Sequence, residues 1–204
     1  MISTEFLITS LIVVLLPGTG VIYTISIGLF QNARASTFAA LGCTAGIIPS
    51  LLACILGLAA VIHTSALLFQ IIKFVGVAYL LYLAWGMWKE TGGLVLDDYG
   101  ERASMLGIGT KGFLINILNP KLSVFFLAFL PQFVPAQAAS PLINMLVLGV
   151  VFMAMTLFVF ISYGLLANSV STYVVSSPKL MKYVQRTFSA TFAMLGAKLA
   201  FAER

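Results

Sequence analysis

The sequence predicts an all-α integral membrane protein of six transmembrane helices. They are expected to form two inverted three-helix repeats, with helices one and four broken at proline. Three observations carry that expectation. The 204-residue chain is 61% hydrophobic and 8% charged, with a mean hydropathy of +1.09, whereas a soluble domain carries roughly 25% charged residues. Six apolar segments each reach the roughly 20 residues that a spanning helix needs. Proline interrupts two of them, at Pro17 and at Pro120.

The spans are expected at about 4–29, 36–62, 68–88, 109–134, 141–168 and 181–202. They make one transmembrane domain over 1–204, its halves at about 1–88 and 109–204 joined by a cytoplasmic loop, 89–108, too short to fold by itself. Span one lacks a basic leader, offering Glu5 instead, and its apolar run exceeds that of a signal peptide, so it is read as a span. Span two holds Cys43 and Cys54, which a helical rise separates by roughly 16 Å. That is beyond disulfide reach, and both read as packed core thiols. The Gly42 to Gly46 spacing in the same span is a helix-packing pattern, and His63 falls at its interfacial end. Lys73 lies near enough to the end of span three to snorkel, as does Lys198 in span six. Tyr79 and Tyr82, with Trp85 and Trp88, suit an interfacial aromatic belt or a cavity wall, and Tyr163 in span five suits the latter.

Charge sets the orientation. Arg34 lies in the first connection; Lys89, Arg102 and Lys111 in the third; Lys179, Lys182 and Arg186 in the fifth. The second and fourth connections hold no Lys or Arg. The positive-inside rule places the odd connections in the cytoplasm and both termini outside. The net charge of +5 is spread over short loops with no basic stripe and interleaved aromatics, so nucleic acid is not an expected partner. Three spans per half is an odd number, so the second half enters the membrane in the opposite sense and span four corresponds to span one.

Each proline removes a backbone donor and clashes with the preceding turn. Without water to repair that loss, a broken helix persists only against protein or a wet cavity. Interrupted spans at matching places of two halves point to a secondary transporter's binding site. The candidate substrate contacts are therefore Pro17, Gly18, Thr19, Gly20 and Tyr23 in span one, with Asn116, Asn119, Pro120 and Lys121 in span four. A half-helix starting at Pro17-Gly18-Thr19-Gly20 would aim its free N–H groups and positive end at an anion such as a carboxylate. Lys121 falls near mid-span, where a cation costs roughly 2.5–3.5 kcal/mol on insertion scales. Asn116, Asn119 and carbonyls freed by Pro120 are its candidate partners. A kink that only serves packing, and a lysine that only caps carbonyls, are the structural alternatives.

Absences narrow the chemistry. No Asp or Glu lies deep in any span, no phosphate-binding glycine loop occurs, and His63 is the sole histidine. Neither ATP drive, nor a metal or cofactor, nor an intramembrane hydrolase is expected.

Leu16-Pro17-Gly18-Thr19-Gly20 with Tyr23, Gly28-Leu29 and Arg34-Ala35 resembles the opening of the LysE/RhtB amino-acid exporters. So do Gly76-Val77-Ala78-Tyr79-Leu80-Leu81-Tyr82-Leu83 with Trp85, and Gly196-Ala197-Lys198-Leu199-Ala200 near the end. The most specific part is Gly112-Phe113, Asn116, Asn119-Pro120-Lys121, Phe125-Phe126 and Leu130-Pro131-Gln132-Phe133. The resemblance covers nearly the whole chain. It implies a bacterial inner-membrane secondary exporter of amino acids or closely related zwitterions, driven by the proton gradient and working as a monomer or a homodimer in the lipid bilayer. Members commonly carry Pro-Gly-Pro and then a polar residue in span one, where this chain has Thr19-Gly20. The missing deep carboxylate disfavours a basic substrate. A non-transporting membrane scaffold or accessory subunit, and more remotely a channel, remain as other classes; a polar cavity between the two breaks distinguishes a carrier from a scaffold.

The charge asymmetry makes a direct prediction. A cysteine introduced between residues 91 and 104 should stay unlabelled by an impermeant maleimide added to intact cells and react once the membrane is permeabilised. Labelling from the outside would reverse the assigned orientation.

Overall fold

Long apolar runs, punctuated by glycine and proline and poor in other turn residues, fold as helices. The computed structural model describes residues 2–16, 18–62, 66–89, 104–134, 140–170 and 177–201. Pro17, His63 and residues 90–103 lie outside that description, as do the side chains of Pro120, Lys121 and Lys198.

The first helix, α1 (Thr4–Leu15), starts at Ser3, whose hydroxyl accepts from the Phe6 N–H at 3.1 Å, and carries Glu5 in its first turn, where a carboxylate suits the helix dipole. It stops at Leu16, which is extended, and α2 (Thr19–Phe30) begins after Gly18. The two axes bend by 56°. Next comes α3 (Ala33–Ala45), capped by Asn32, whose side-chain oxygen accepts from the Ala35 N–H at 2.9 Å. It runs through Gly46 into α4 (Ile47–Ile62), followed by α5 (Ala66–Lys89). The Ser104 hydroxyl caps α6 (Met105–Ile117) by accepting from the Gly107 N–H at 3.1 Å. Leu118 and Asn119 interrupt the helix, and α7 (Pro120–Ala128) restarts with proline in the first helical position, where no N–H is needed. A 3-10 turn (Leu130–Phe133), α8 (Pro141–Leu165), the short α9 (Ala167–Val170) and α10 (Pro178–Phe201) complete the order.

Among the described residues, Ala33–Gly57 and Pro141–Leu165 are long and apolar enough to cross a membrane, and the bent α1–α2 pair makes a third when counted as one span. At 25 residues each, the two straight ones extend about 37 Å against a hydrocarbon core of about 30 Å. The surface is apolar too. Phe158 is 74% exposed and Phe201 85%, an arrangement that water would penalise and acyl chains do not. Tyr82, Trp85 and Trp88 also face outward rather than into a cavity.

Glycine decides how closely the central helices approach. A Cβ on Gly42 would collide with the Gly109 carbonyl, and one on Gly112 would sit 2.8 Å from the Ala39 oxygen. These positions let α3 lie backbone to backbone on α6, so the Gly42–Gly46 pattern serves packing. On the other side of α2, a Cβ on Gly28 would lie 2.9 Å from Ala167 Cβ. Both cysteines are buried free thiols, and Cys54 Sγ donates to the Phe126 carbonyl at 3.0 Å across α4 and α7.

A second unit is the antiparallel pair α5–α10, tied by Ser189 Oγ donating to the Ala84 carbonyl at 2.6 Å. Lys73 differs from the snorkelling expectation. Its side chain is buried, and Nζ donates to the Ala200 carbonyl at 3.3 Å in the last turn of α10. The end of α10 supplies the electronegative carbonyl that a lysine otherwise seeks at the interface.

The close α3–α6 approach yields a test. Gly42→Ala should lose about 1–3 kcal/mol through forced separation of the two backbones, seen as a lower thermal midpoint of detergent-solubilised protein. Gly57 has nothing within 4 Å of its Cβ position, so Gly57→Ala should be neutral or gain about 0.5–1 kcal/mol of helix preference. Equal shifts for the two variants would contradict this packing.

Candidate functional site

The breaks after α1 and α6 face one another. A cavity lies between them, with Gly18 and Gly20 on one side and Asn116 and Asn119 on the other. Thr156 of α8 adds a hydroxyl, and Phe152 and Phe160, one turn to either side of it, add aromatic walls. Its water-accessible space is about 20 Å³, room for one or two water molecules.

Asn116 is the most constrained group there. It is 2% exposed, and Nδ2 donates to the Cys43 carbonyl at 2.7 Å. That carbonyl belongs to the last turn of α3, just before the Gly46 junction with α4. The other end of the amide, Oδ1, accepts from Asn119 Nδ2 at 3.4 Å. Oδ1 also lies 2.8 Å from where a Gly20 Cβ would be, and Asn116 Cβ lies 3.0 Å from the corresponding point on Gly46. One amide therefore joins three interruptions: after α1, at Gly46 and after α6.

The helix ends give the cavity its polarity. Gly18 caps α2 with no side-chain hydrogen bond, leaving the first N–H groups of α2, those of Thr19 to Val21, without intrahelical acceptors. Gly20 and Val21 line the cavity. At the start of α7, Asn119 and Leu122 do the same. Two positive helix ends thus border the cavity, and neither first turn contains an acidic residue. The C-terminal, negative ends of α1 and α6 border it as well, through Val13 and Val14 and through Asn116.

The structure brings together four residues named from the sequence: Gly18, Gly20, Asn116 and Asn119. Two others sit elsewhere. Thr19 is exposed outside the cavity lining, and Tyr23 is buried, its hydroxyl donating to the Ile108 carbonyl at 2.9 Å as a cross-link from α2 to α6. Pro17 and the side chains of Pro120 and Lys121 fall outside the described residues, although the backbone places Lys121 second in α7. Among the described residues no cluster of His, Cys, Asp or Glu could hold a metal ion.

The profile of the LysE type translocator family matches residues 11–203. The chain belongs to that family. This LysE-type translocator is a membrane protein and not an enzyme. It is 32% identical over 199 residues to an uncharacterized membrane protein of Vibrio cholerae, covering 97% of this chain and 96% of the relative. It is 30% identical over 197 residues to the homoserine/homoserine lactone efflux protein of Salmonella typhimurium, covering 97% and 95%. The leucine efflux protein of Klebsiella pneumoniae is 25% identical over 200 residues, covering 96% and 92%. No solved structure gives a significant match.

Sequence reasoning missed the α8 wall of the translocator's cavity. Phe152, Thr156 and Phe160 recur every four residues, but α8 is apolar all round and carries no break to single out one face. Gly46 was read as half of a packing pattern, and its place beside Asn116 at the junction of α3 and α4 was not.

The Asn116–Gly20 contact predicts a non-additive pair. Asn116→Ala should lose about 1–3 kcal/mol by leaving the Cys43 carbonyl without this donor, and Gly20→Ala should lose stability by steric conflict with Oδ1. The double variant should lose less than the sum of the two, because truncation removes Oδ1 from the new Cβ and leaves only the 3.1 Å approach of Phe160 Cε2. Fully additive losses in thermal unfolding would refute the contact.

Proposed function

We propose that the chain is a secondary active exporter of amino acids or closely related small zwitterions, coupled to protons and working by alternating access. The observation that carries this reading is the convergence of opposite helix ends on one cavity. At each break a helix stops, presenting carbonyls, and another starts, presenting N–H groups. A substrate carboxylate suits the starts of α2 and α7, and an ammonium group suits the ends of α1 and α6. The walls are otherwise apolar, with Val21, Leu122, Phe152 and Phe160, and none of the described lining residues is charged. That favours a neutral side chain over a basic one. Relatives named for homoserine and leucine efflux fit the same class.

In this reading the chain forms a single domain of six spans in two inverted repeats, with both termini outside, in a bacterial inner membrane. Contacts between helices support the repeat: α2 packs on α6, α3 on α8 and α5 on α10, each pairing corresponding spans, while α3–α6 is matched by α2–α8. A space of about 20 Å³ is too small for an amino acid, so in this reading the cavity must widen to take substrate. Lys121, beside Pro120 at the positive end of α7, contributes the full charge that holds a carboxylate or carries the coupled proton.

The test is export from proteoliposomes over a panel of neutral, basic and acidic amino acids, with and without a pH gradient. Neutral substrates should move, faster with the gradient. Lys121→Met should abolish export while the monodisperse folded yield is kept, and Lys121→Arg should impair it, since a planar fork does not replace a compact ammonium. Normal export per folded Lys121→Met molecule would remove Lys121 from the mechanism, and no export of any amino acid by the parent chain would remove the exporter reading.

A further inference from the structure

We infer that Tyr163 clasps the break of the first span to α8, and that release of this clasp opens the cavity. Helix α1 ends at Leu15, and the extended Leu16 directs the chain away from the helical path. In a continuous helix the Leu15 carbonyl would accept from the N–H four residues on; the break takes that donor away. The Tyr163 hydroxyl replaces it, donating to the Leu15 carbonyl at 3.0 Å from a helix 148 residues further along the chain.

Tyr23 and Ser36 also donate to carbonyls of a neighbouring helix, Ile108 and Thr24, but not at a helix break. Four other hydroxyls, those of Thr24, Thr44, Thr156 and Ser162, each donate to the carbonyl four residues earlier in their own helix. Those bonds travel with their helix and resist no relative motion. The Tyr163 bond joins α8 to α1 at the point where α1 has lost its own continuity.

Position makes the bond a control point. Val13 and Val14, just before Leu15, line the cavity, and so do Phe152, Thr156 and Phe160 on α8, of which Phe160 lies one turn before Tyr163. The cavity cannot enlarge between α1 and α8 while their junction is tied. A bent helix whose hinge carbonyl is held from another helix has somewhere to rotate, and a single hydrogen bond is a restraint that thermal motion can break. Tyr163 is thus a positioning residue: it acts on the cavity through the end of α1 and does not belong to the lining.

Accessibility of the cavity tests this without any substrate, so the result stands whether or not the chain exports amino acids. In a Cys43→Ala, Cys54→Ala background, a reporter cysteine at Val14 is labelled with a small membrane-permeant maleimide; a second reporter at the exposed Leu106 controls for reagent access. Adding Tyr163→Phe should speed labelling at position 14 by roughly 3- to 10-fold, the population shift expected from one lost hydrogen bond, and leave position 106 unchanged. Unchanged labelling at position 14 would overturn the clasp, even if thermal stability falls. An equal rise at both positions would overturn it too, as general loosening. If the Phe variant is not recovered folded, Tyr163→Met makes the same comparison.

Discussion

The Asn116 carboxamide has two ends to satisfy at a place water barely reaches, and the positions of three helices follow from how it does so. Its nitrogen is committed to the last turn of α3 at 2.7 Å. Its oxygen is committed to Asn119 and rests against Gly20. Neither end can move without leaving a polar group unpaired in a low-dielectric interior, where that costs far more than the bond is worth in water. The amide explains why glycine stands at 20, and the α6 backbone explains glycine at 46. A Cβ at 20 would meet Asn116 Oδ1, whereas one at 46 would meet the Phe113 carbonyl first and Asn116 Cβ second.

Around that point, hydrocarbon dictates the rest. Broken helices expose carbonyls and N–H groups that lipid cannot satisfy, so the breaks must face one another, a side chain or enclosed water. The protein sets the breaks face to face and adds side-chain donors. Asn116 and Tyr163 supply side-chain donors to the ends of α3 and α1, and the remaining polar groups face the small cavity. Close glycine contacts between α3 and α6 then seal the bundle beside it, because van der Waals contact is the main attraction left between helices in lipid. The α5–α10 pair stands apart from this seal, joined to the rest through α4 and α7.

The helical character and the two breaks were legible because proline and glycine leave local marks independent of tertiary packing. Asn116 and Asn119 were legible for a related reason: amides are conspicuous in an apolar run. Thr156 was not, since threonine satisfies itself within a helix and draws no attention. Tyr23 shows the opposite failure. Its nearness in sequence to the break suggested a cavity contact, yet four residues of helix from Thr19 turn its side chain toward Ile108. A spacing argument places a residue on a helix, but which face meets the cavity depends on the 56° bend, which sequence does not specify. Lys73 carries the same lesson, because the carbonyl that receives it comes from the far end of the chain.

On the exporter reading, holding the ammonium of a zwitterion with helix ends rather than with an opposed side-chain carboxylate has a thermodynamic consequence. Each end contributes roughly half an elementary charge, so attraction for that group is weaker than in a buried ion pair and carries less of the desolvation penalty that such pairs incur. On the exporter reading that suits the task. The cytoplasmic side offers substrate at high concentration, and tight binding would only slow release on the other side. A neutral amide at the centre, fixed by its own hydrogen bonds, keeps the dipoles aligned whether or not substrate is present. Little reorganisation then accompanies binding, and the conformational work falls on the hinges, where Leu15 and Leu16 end one helix and Gly18 begins the next.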